Sequence, residues 1–411
     1  MPPSPAAESR PVRVLFLAWG FSIHALRRIL PFVEDPGFEV TVAATHDYRF
    51  ENARNILLGG RNEALRPLPG DPYGTGVRLV HRMIRRWDPD TRIDDVDHWS
   101  ADLETLRAAV RETKPDVVFL QTLLYPCYLA FLLPRSLPVV ITFWNGDLTW
   151  WARSNGIERL AKKRIVRHGI RRARAITVNS GTARDACAAH GAPPGKVHLI
   201  RYPGVDLDRF ARRDRQEARR SLGIDSGRVV LCPRGLGGYL NGDVIVEAVP
   251  EVVRRHPDTL FLFVSGVGLA EWERLLSRAR ELGVEGRLRH DGQIPWERMP
   301  LYYNASDAMV SISSNDSLPN CMLEAMACGT PAIIGDLPQL REWVEDGKNG
   351  FLVPPRDPGA LAERIVEVLE APAARIEAFA LHSRRLVERE ADGGKAVGQV
   401  KLLVRRLAGM A

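Results

Sequence analysis

Short apolar runs alternate with helical patterns along this chain, and the alternation starts twice. The first series opens with the apolar run at residues 12–18, which ends at Trp19 and Gly20. The second opens at residues 229–232, after the turn-rich stretch at residues 203–206. Continuous apolar runs followed by helices are typical of buried parallel strands. The sequence therefore predicts the α/β class, with two doubly wound parallel sheets.

The individual elements follow from the same patterns, and 411 residues are enough for two cores. We predict strands at 12–18, 39–44, 116–121, 139–143, 175–179, 229–232, 260–264, 288–290 and 309–312. We predict helices at 22–33, 103–112, 157–172, 244–255, 270–282, 297–303, 319–328 and 394–409. Ligands of open α/β sheets usually bind at the carboxyl ends of the strands, so we expect a cleft between the domains to hold the site.

The net charge of +7 is concentrated in the first half of the chain. Most of the excess lies in segment 159–174, which is rich in arginine and lysine. Such a segment is able to face an anionic acceptor, an anionic lipid surface or nucleic acid. A solvated helix face has the same composition. We expect no nucleic-acid partner and keep peripheral membrane contact through segment 159–174 as an alternative.

The cysteines and the longest apolar run indicate in which cellular compartment the protein is expected. The five cysteines, at 127, 187, 232, 321 and 328, are scattered and include no Cys-x-x-Cys pair. We interpret them as reduced thiols of a cytoplasmic protein. Residues 1–10 lack the apolar run of a secretion signal and are expected to form a flexible tail. The longest apolar stretch, 123–133, is shorter than the roughly 20 residues that span a bilayer.

Two carboxylates, Asp316 and Glu324, lie eight positions apart around a helix expected to begin at Pro319 and end at Gly329. The amides of Asn320 and Cys321 would point out of the helix start, where the macrodipole favours an anion such as phosphate. The two acids would then bracket a long polar ligand. An ordinary capped helix with one exposed acid fits the same spacing.

Segment 315–331 closely resembles the Glu-x7-Glu signature of family-4 retaining glycosyltransferases, which have the GT-B fold of two Rossmann-like domains facing a central cleft. The resemblance implies that Asp316 holds hydroxyls of the donor sugar and that Glu324 holds the nucleotide ribose. Asp316 replaces the usual glutamate, so either the loop lies closer to the sugar or the donor is unusual. The implied donor-binding positions around them are Ser317, Leu318, Pro319, Asn320 and Cys321.

Segment 196–210 resembles the same family's interdomain crossing, which usually contains Pro-x-Gly-Val-Asp followed by Phe. The resemblance implies an acceptor-binding domain at 11–205 and a nucleotide-sugar-binding domain at 206–385. It also implies that a return helix within 386–411 belongs to the first domain. After the signature, Glu342 matches an acid whose role we expect to be structural.

Arg234 lies in a glycine-rich turn after a predicted strand and matches the first of two family cations that bind the donor diphosphate. A surface arginine in such a turn is the alternative. The second cation, a lysine in the family, is replaced by Asn241, which we keep as a donor-binding position. Either another arginine substitutes for it, or donor binding relies on amides and Arg234. Ile294 matches a segment whose backbone contacts the nucleobase.

Residues 143–147 fall where many relatives carry a His-Gly-x-Asp loop, and the resemblance implies acceptor contacts at Trp144, Asn145 and Asp147. Trp144 replaces the histidine, and an indole cannot accept a proton, so no general base is predicted there. Asp147 would contact the acceptor or orient its loop. It would equally suit a helix N-cap.

The first strand-to-helix loop is the other implied contact region. Gly20 suits close backbone approach to the donor phosphates. Phe21 and His24 are implied acceptor contacts, although His24 also suits capping or packing. A pair of acids at Asp95 and Asp97 does not end an apolar strand, so we do not assign it to a metal.

These resemblances predict a retaining, metal-independent hexosyltransferase that uses a GDP- or UDP-sugar and needs no cofactor. We assign Arg234, Asp316 and Glu324 as its catalytic residues. The expected acceptor is a small molecule of natural-product biosynthesis, because aromatic residues cluster at 144, 150 and 151. One alternative acceptor is a lipid-linked or cell-envelope glycan. An alternative of another class is a non-catalytic nucleotide-sugar-binding subunit.

Overall fold

The computed structural model describes residues 10–19, 23–59, 93–123, 127–144, 148, 156–225, 227–234, 236–265 and 269–410. The chain forms two compact units. The first consists of Met1–Pro203 with Val397–Ala411, and the second of Gly204–Ala396. The second unit therefore begins two residues before the predicted junction at 205/206.

The first unit is built on a parallel sheet. Its strands are β1 (Val12–Ala18), β2 (Phe38–Ala44), β3 (Ala53–Leu57), β4 (Val117–Leu120), β5 (Val139–Thr142), β6 (Ala175–Val178) and β7 (Val197–Leu199). Its helices before the second unit are α1 (Ile23–Val33), α2 (Ile93–Thr113), α3 (Gly156–Arg172) and α4 (Gly181–Ala189). Within the described residues the strand order is β3-β2-β1-β4-β5-β6-β7.

The second unit repeats this plan. Its strands are β8 (Arg228–Cys232), β9 (Thr259–Phe263), β10 (Leu288–His290), β11 (Ala308–Ser311), β12 (Ala332–Gly335) and β13 (Phe351–Val353). Its helices are α5 (Arg215–Ser221), α6 (Gly242–Arg255), α7 (Leu269–Glu281), α8 (Met299–Ala305), α9 (Asn320–Cys328), α10 (Pro358–Glu370) and α11 (Ala373–Glu390). The described strands follow the order β10-β9-β8-β11-β12-β13. The predicted fold class is confirmed.

Both strand orders reverse direction next to the first strand of each series. In the second unit the reversal lies between β8 and β11, which pair in parallel with Val230 opposite Ala308. In sheets with such a reversal, the loops that leave the carboxyl ends of the two strands usually diverge and open a crevice where ligands bind. The site is therefore expected in the loops after Cys232 and Ser311.

The sequence patterns missed several elements at the sheet edges. β3 reads Ala-Arg-Asn-Ile-Leu and has no fully buried residue, so it lacks the apolar run of a central strand. β13 is only three residues long. At the end of the chain the predicted helix at 394–409 is confirmed, but the predicted return helix 386–411 begins too early. Helix α11 continues to Glu390 within the second unit, and a separate helix, α12 (Gly393–Leu407), begins after it.

The chain segments at the beginning and at the end of the second unit lie next to each other. Val205 donates its amide to Ala391 O at 2.8 Å, and Gly393 donates to Val205 O at 2.8 Å. Gly204 has φ +73°, and a Cβ there would lie 2.7 Å from the Cα of Gly393. Glycine is thus required for the close approach of the two chain segments.

None of the helices in the described part of the chain is both long enough and apolar enough to span a membrane.

Asp116 joins the starts of β1 and β4. Burial of its carboxylate opposes ionisation, but hydrogen bonds from the Arg10 guanidinium at 2.8 Å and the Arg13 amide at 2.9 Å outweigh this. The pKa of Asp116 therefore lies well below its usual value. A carboxyl whose folded pKa is lowered stabilises the fold above its unfolded pKa, and this stabilisation is lost as the pH falls towards the folded pKa.

We expect Asp116→Asn to lower the free energy of unfolding at pH 7 by about 2 kcal/mol, because it replaces charge-assisted hydrogen bonds by neutral ones. The difference from wild type should shrink below pH 4, where the unfolded carboxyl becomes protonated. Hydrogen exchange in peptides from β1 and β4 at pH 7 and pH 3 measures it, because a chain of two units need not unfold in one step. Asp185→Asn, at a side chain 72% exposed, is the matched control. An equal difference in stability between wild type and Asp116→Asn at both pH values would contradict the electrostatic explanation.

Candidate functional site

Arg234 and Asp316 meet at the crevice of the second unit. Arg234 lies two residues beyond the end of β8, and Asp316 lies five residues beyond the end of β11. The Arg234 Nη1 atom donates to Asp316 Oδ2 at 2.6 Å, across 82 residues of sequence. The structure thus brings together a cation and an acid that sequence motifs identified separately.

The charge of Arg234 is fixed by its partner. Burial lowers the pKa of a guanidinium, but the carboxylate of Asp316 outweighs this and holds the pKa of Arg234 above its ordinary value. The Arg234 side chain is 25% exposed and that of Asp316 is 12% exposed. A fixed positive charge with restricted access to water interacts strongly with an anion. This position suits a phosphate ligand.

Asp316 is held in place by several hydrogen bonds. Ser313 Oγ donates to Asp316 Oδ2 at 2.9 Å, and the Ser317 amide donates to Oδ1 at 2.9 Å. Gln339 Nε2 donates to the Asp316 carbonyl at 2.6 Å. The sequence motifs did not point to Ser313 or Gln339. Their contacts fix the orientation of an acid that is shorter than the family's glutamate.

Helix α9 begins beside this pair. Pro319, with φ −69°, occupies the N-cap rather than the predicted first helical position, and Asn320 begins the helix. Gly329 ends it in the left-handed conformation, as predicted. Leu318 is buried, and Cys321 is only 8% exposed. Burial raises the pKa of the Cys321 thiol to about 11, so this group is neutral at pH 7.

Glu324 is the most enclosed of the predicted catalytic residues, at 4% exposure. Trp296 Nε1 donates to its Oε1 at 3.0 Å, and the Tyr303 hydroxyl donates to its Oε2 at 3.0 Å. Burial, together with the charge of Glu324, raises the pKa of Tyr303 well above its ordinary value. Tyr303 therefore remains a hydrogen-bond donor at neutral pH. Its contact and that of Trp296 orient Glu324.

Asn241 points into the protein. It has φ +56°, a conformation that asparagine tolerates better than most residues, and it is 1% exposed. Its Nδ2 atom lies 2.7 Å from Ile312 O, 2.7 Å from Ser314 Oγ and 2.9 Å from Pro355 O. Its Oδ1 accepts from Arg356 Nη1 at 3.2 Å. These partners fasten the start of α6 to the loops after β11 and β13.

Two further predicted positions lie in turns of the second unit. Ile294 is partly buried against the core and follows Gly292, whose carbonyl accepts from the Ser265 amide at 2.9 Å. Glu342 is exposed and precedes a turn in which the Gly347 amide donates to Gly350 O at 2.9 Å.

The predicted acceptor residues lie in the first unit. His24 and Trp144 are in edge-to-face contact, with ring centroids 5.6 Å apart. Gly20, Phe21, Asn145 and Asp147 lie outside the described residues. His24 and Trp144 come from the start of α1 and the loop after β5, and they therefore share one end of the sheet.

Arg28 joins this pair and was missed by the sequence motifs. Its guanidinium lies 5.6 Å from the Trp144 ring centroid, and its Nη2 donates to Tyr202 O at 3.1 Å. The Tyr202 hydroxyl donates to Arg28 O. Arg28 is one helical turn beyond His24, so the two share a face of α1. The four-residue spacing between His24 and Arg28 was the sequence feature that could have identified Arg28.

The basic segment 159–174 coincides with α3 and the residues that follow it. Arg164, Arg167 and Arg171 are exposed, whereas Arg172 donates to Leu137 O at 3.1 Å. Burial lowers the pKa of Arg172. The segment thus combines an exposed basic face with one structural arginine.

Across the residues that the structure describes, His, Cys, Asp and Glu form no group of three that could hold a metal ion.

Two family profiles match the chain in succession. The profile described as "Glycosyltransferase Family 4" matches residues 26–209, and the one described as "Glycosyl transferases group 1" matches residues 214–382. Each therefore falls mainly on one structural unit. Together they account for most of the sequence, including Arg234, Asp316 and Glu324.

Curated relatives match about half of the chain. The D-inositol 3-phosphate glycosyltransferase 2 of Catenulispora acidiphila is 35% identical over 207 residues, 48% of each chain. The D-inositol 3-phosphate glycosyltransferase of Geodermatophilus obscurus is 36% identical over 220 residues, which are 52% of this chain and 48% of that protein. The matched region thus spans about half the length of these relatives.

Among solved structures, HepE from Anabaena in complex with UDP and glucose is similar over 96% of this chain and 100% of its own, with a TM-score of 0.73. The sequence identity is 18%, so this likeness shows the fold alone.

Proposed function

The chain belongs to family 4 of the glycosyltransferases, and from this premise we propose that it transfers a sugar from a nucleoside-diphosphate sugar to an acceptor with retention of anomeric configuration. The contact between Arg234 and Asp316 carries the proposal. It joins a diphosphate-binding cation to a sugar-binding acid at the strand ends where ligands of such sheets bind.

The proposed reaction divides the roles between these residues. The bond between the sugar C1 and the diphosphate oxygen breaks, and the acceptor oxygen bonds to C1 on the same face. The acceptor proton passes to the departing diphosphate, so no protein nucleophile or metal is required. Arg234 stabilises the negative charge on the leaving group, an effect commonly worth a few kcal/mol. Asp316 orients the sugar through its hydroxyls.

Glu324 is proposed to hold the ribose. A carboxylate can accept hydrogen bonds from two vicinal hydroxyls. Trp296 and Tyr303 fix its orientation before the nucleotide arrives. Preorganisation of this kind reduces the entropy lost on binding. Of the two predicted nucleotides, UDP is favoured because HepE was solved with UDP.

The proposed acceptor is a small molecule. The names of the curated relatives point to inositol 3-phosphate, which is small and anionic. His24 and Trp144 provide an aromatic surface in the first unit that suits a small ring, and the buried Arg28 supports it from behind through its contacts with Trp144 and Tyr202. The exposed basic face of α3 favours a second candidate, an anionic lipid-linked acceptor.

A panel of UDP- and GDP-sugars, tested with inositol 3-phosphate, free inositol and a lipid-linked phosphate acceptor, tests the proposal. We expect turnover with a UDP-sugar and the small phosphorylated acceptor, and NMR of the product should show the donor's anomeric configuration. Inversion would exclude the proposed mechanism. Tight nucleotide binding without turnover on any acceptor would instead favour a non-catalytic sugar-nucleotide-binding subunit.

We expect Glu324→Gln to weaken binding of the nucleoside diphosphate by about 10-fold, because hydrogen bonds to an ionised acceptor are replaced by neutral ones. Isothermal titration calorimetry with UDP measures the change. Glu281→Gln, at a side chain 62% exposed, is the control and should bind as wild type does. Unchanged UDP affinity in Glu324→Gln would remove Glu324 from the nucleotide site.

A further inference from the structure

The family's second diphosphate cation has no direct counterpart at Asn241. The amide nitrogen of this side chain is surrounded by three oxygens of the protein, and the side chain is 1% exposed. An amide in this position is neutral and directed inward. It can supply neither charge nor a donor to a diphosphate without breaking these contacts.

Arg356 places a guanidinium beside the Asn241 side chain from another loop. It lies three residues beyond the end of β13. Its Nη1 donates to Asn241 Oδ1 at 3.2 Å, so its positive charge lies within hydrogen-bonding distance of the side chain that replaces the lysine. The loop after β13 therefore brings a positive charge next to the start of α6.

The loop after β11 connects this position to the site, because two consecutive serines of the loop contact Asn241 and Asp316. Asn241 Nδ2 lies 2.7 Å from Ser314 Oγ, and the neighbouring Ser313 hydroxyl donates to Asp316. Asp316 in turn binds Arg234. Arg356 and Arg234 therefore each approach the loop after β11, one through Asn241 and Ser314 and the other through Asp316 and Ser313. A diphosphate has two groups of anionic oxygens and is able to use both cations.

The ion pair between Arg356 and Asp243 is weak enough to be replaced by a contact with a ligand. Its Nη2 lies 3.4 Å from Asp243 Oδ2, and the two side chains are 66% and 38% exposed. Ion pairs that are this exposed contribute little to stability. A diphosphate offers a denser negative charge and can accept two hydrogen bonds from one guanidinium.

We propose that Arg356 is the second diphosphate-binding cation of this protein and takes the place of the lysine usual in the family. The inference rests on the proposed function. Asn241 positions the guanidinium through its Oδ1 atom while it fastens the three loops together. Arg234 and Arg356 together then offset the charge of the bound diphosphate.

Calorimetry with UDP and with UMP tests this, using GDP and GMP if wild type prefers guanine nucleotides. We expect Arg356→Ala to weaken diphosphate binding by about 10-fold, the value of one charge-assisted hydrogen bond. Monophosphate binding should change little, because the lost contact is to the second phosphate. Arg356→Lys should recover most of the affinity. Arg254→Ala, at a side chain 69% exposed and paired with Glu251, should bind as wild type does.

The outcomes distinguish a failure of the inference about Arg356 from a failure of the proposed function. Wild-type affinity for the diphosphate in Arg356→Ala would overturn the inference and leave the proposed function intact. Equal weakening of monophosphate and diphosphate binding would also overturn it, since it would indicate a structural role for Arg356. If wild type bound no nucleotide of either base, the proposed function and the inference would both fail.

Discussion

Replacing Arg234 with alanine should lower kcat for sugar transfer by about 10²- to 10³-fold, the usual effect of removing one preorganised group that stabilises developing negative charge. Arg234 is 25% exposed, and Asp316 raises its pKa, so its charge is present at every pH of practical interest. Bulk water cannot replace it as the diphosphate departs. The measurement is the initial rate at saturating donor and acceptor.

Arg234→Lys keeps the charge but loses the planar fork of donors, so we expect an intermediate rate. Arg278→Ala is the control, because Arg278 is 44% exposed and pairs with Glu247 and Glu281 on the surface. Thermal denaturation of each variant separates loss of function from loss of fold. A kcat for Arg234→Ala close to that of wild type, with the fold intact, would exclude Arg234 from charge stabilisation.

Asp307→Ala should reduce the stability of the second unit by about 3–5 kcal/mol, the range for breaking a buried ion pair. Asp307 accepts hydrogen bonds at 2.7 Å from Arg215, Arg219 and the Val229 amide. The side chains of Arg219 and Asp307 are 8% and 14% exposed. The substitution leaves the charge of Arg219 buried after its carboxylate partner is lost.

Hydrogen exchange followed by mass spectrometry is the suitable measurement, because a chain of two units need not unfold in one step. Peptides from β8 and β11 should exchange faster in Asp307→Ala. The double variant Arg219→Met with Asp307→Leu should be less destabilised, since it leaves no buried charge from this pair. Glu285→Ala removes a pair whose carboxylate is 44% exposed and should change little. Wild-type exchange in β8 for Asp307→Ala would refute the expectation.

Arg234 and Asp316 were assigned from the family motifs that they match, and their positions shortly after apolar strands could be read from the limits of the apolar runs. Their contact depends on β8 and β11 being neighbours, which the strand order of a doubly wound sheet supplies. Glu324 was assigned from its place in the family signature, because its spacing to Asp316 fits an ordinary capped helix equally well. The depth of its burial was not predictable, since Trp296 and Tyr303 reach it from a different helix and turn.

The orientation of the Asn241 side chain could not be predicted from the sequence for a related reason. It depends on the carbonyls of Ile312 and Pro355, which are 71 and 114 positions away along the chain. No local pattern encodes such contacts. Arg356 was missed because its neighbourhood reads as an ordinary charged loop. Edge strands such as β3 were missed because half-exposed backbone pairing does not require an apolar run.

Backbone hydrogen bonds of Val205 with Ala391 and Gly393 hold together the two points at which the chain enters and leaves the second unit. Segments joined in this way can be cut out or exchanged with little distortion of the remaining chain, because only one small gap has to be bridged. On the proposed division of roles, a gene fusion that exchanged residues 204–396 for those of a relative should change the preference for the sugar donor and leave the preference for the acceptor unchanged.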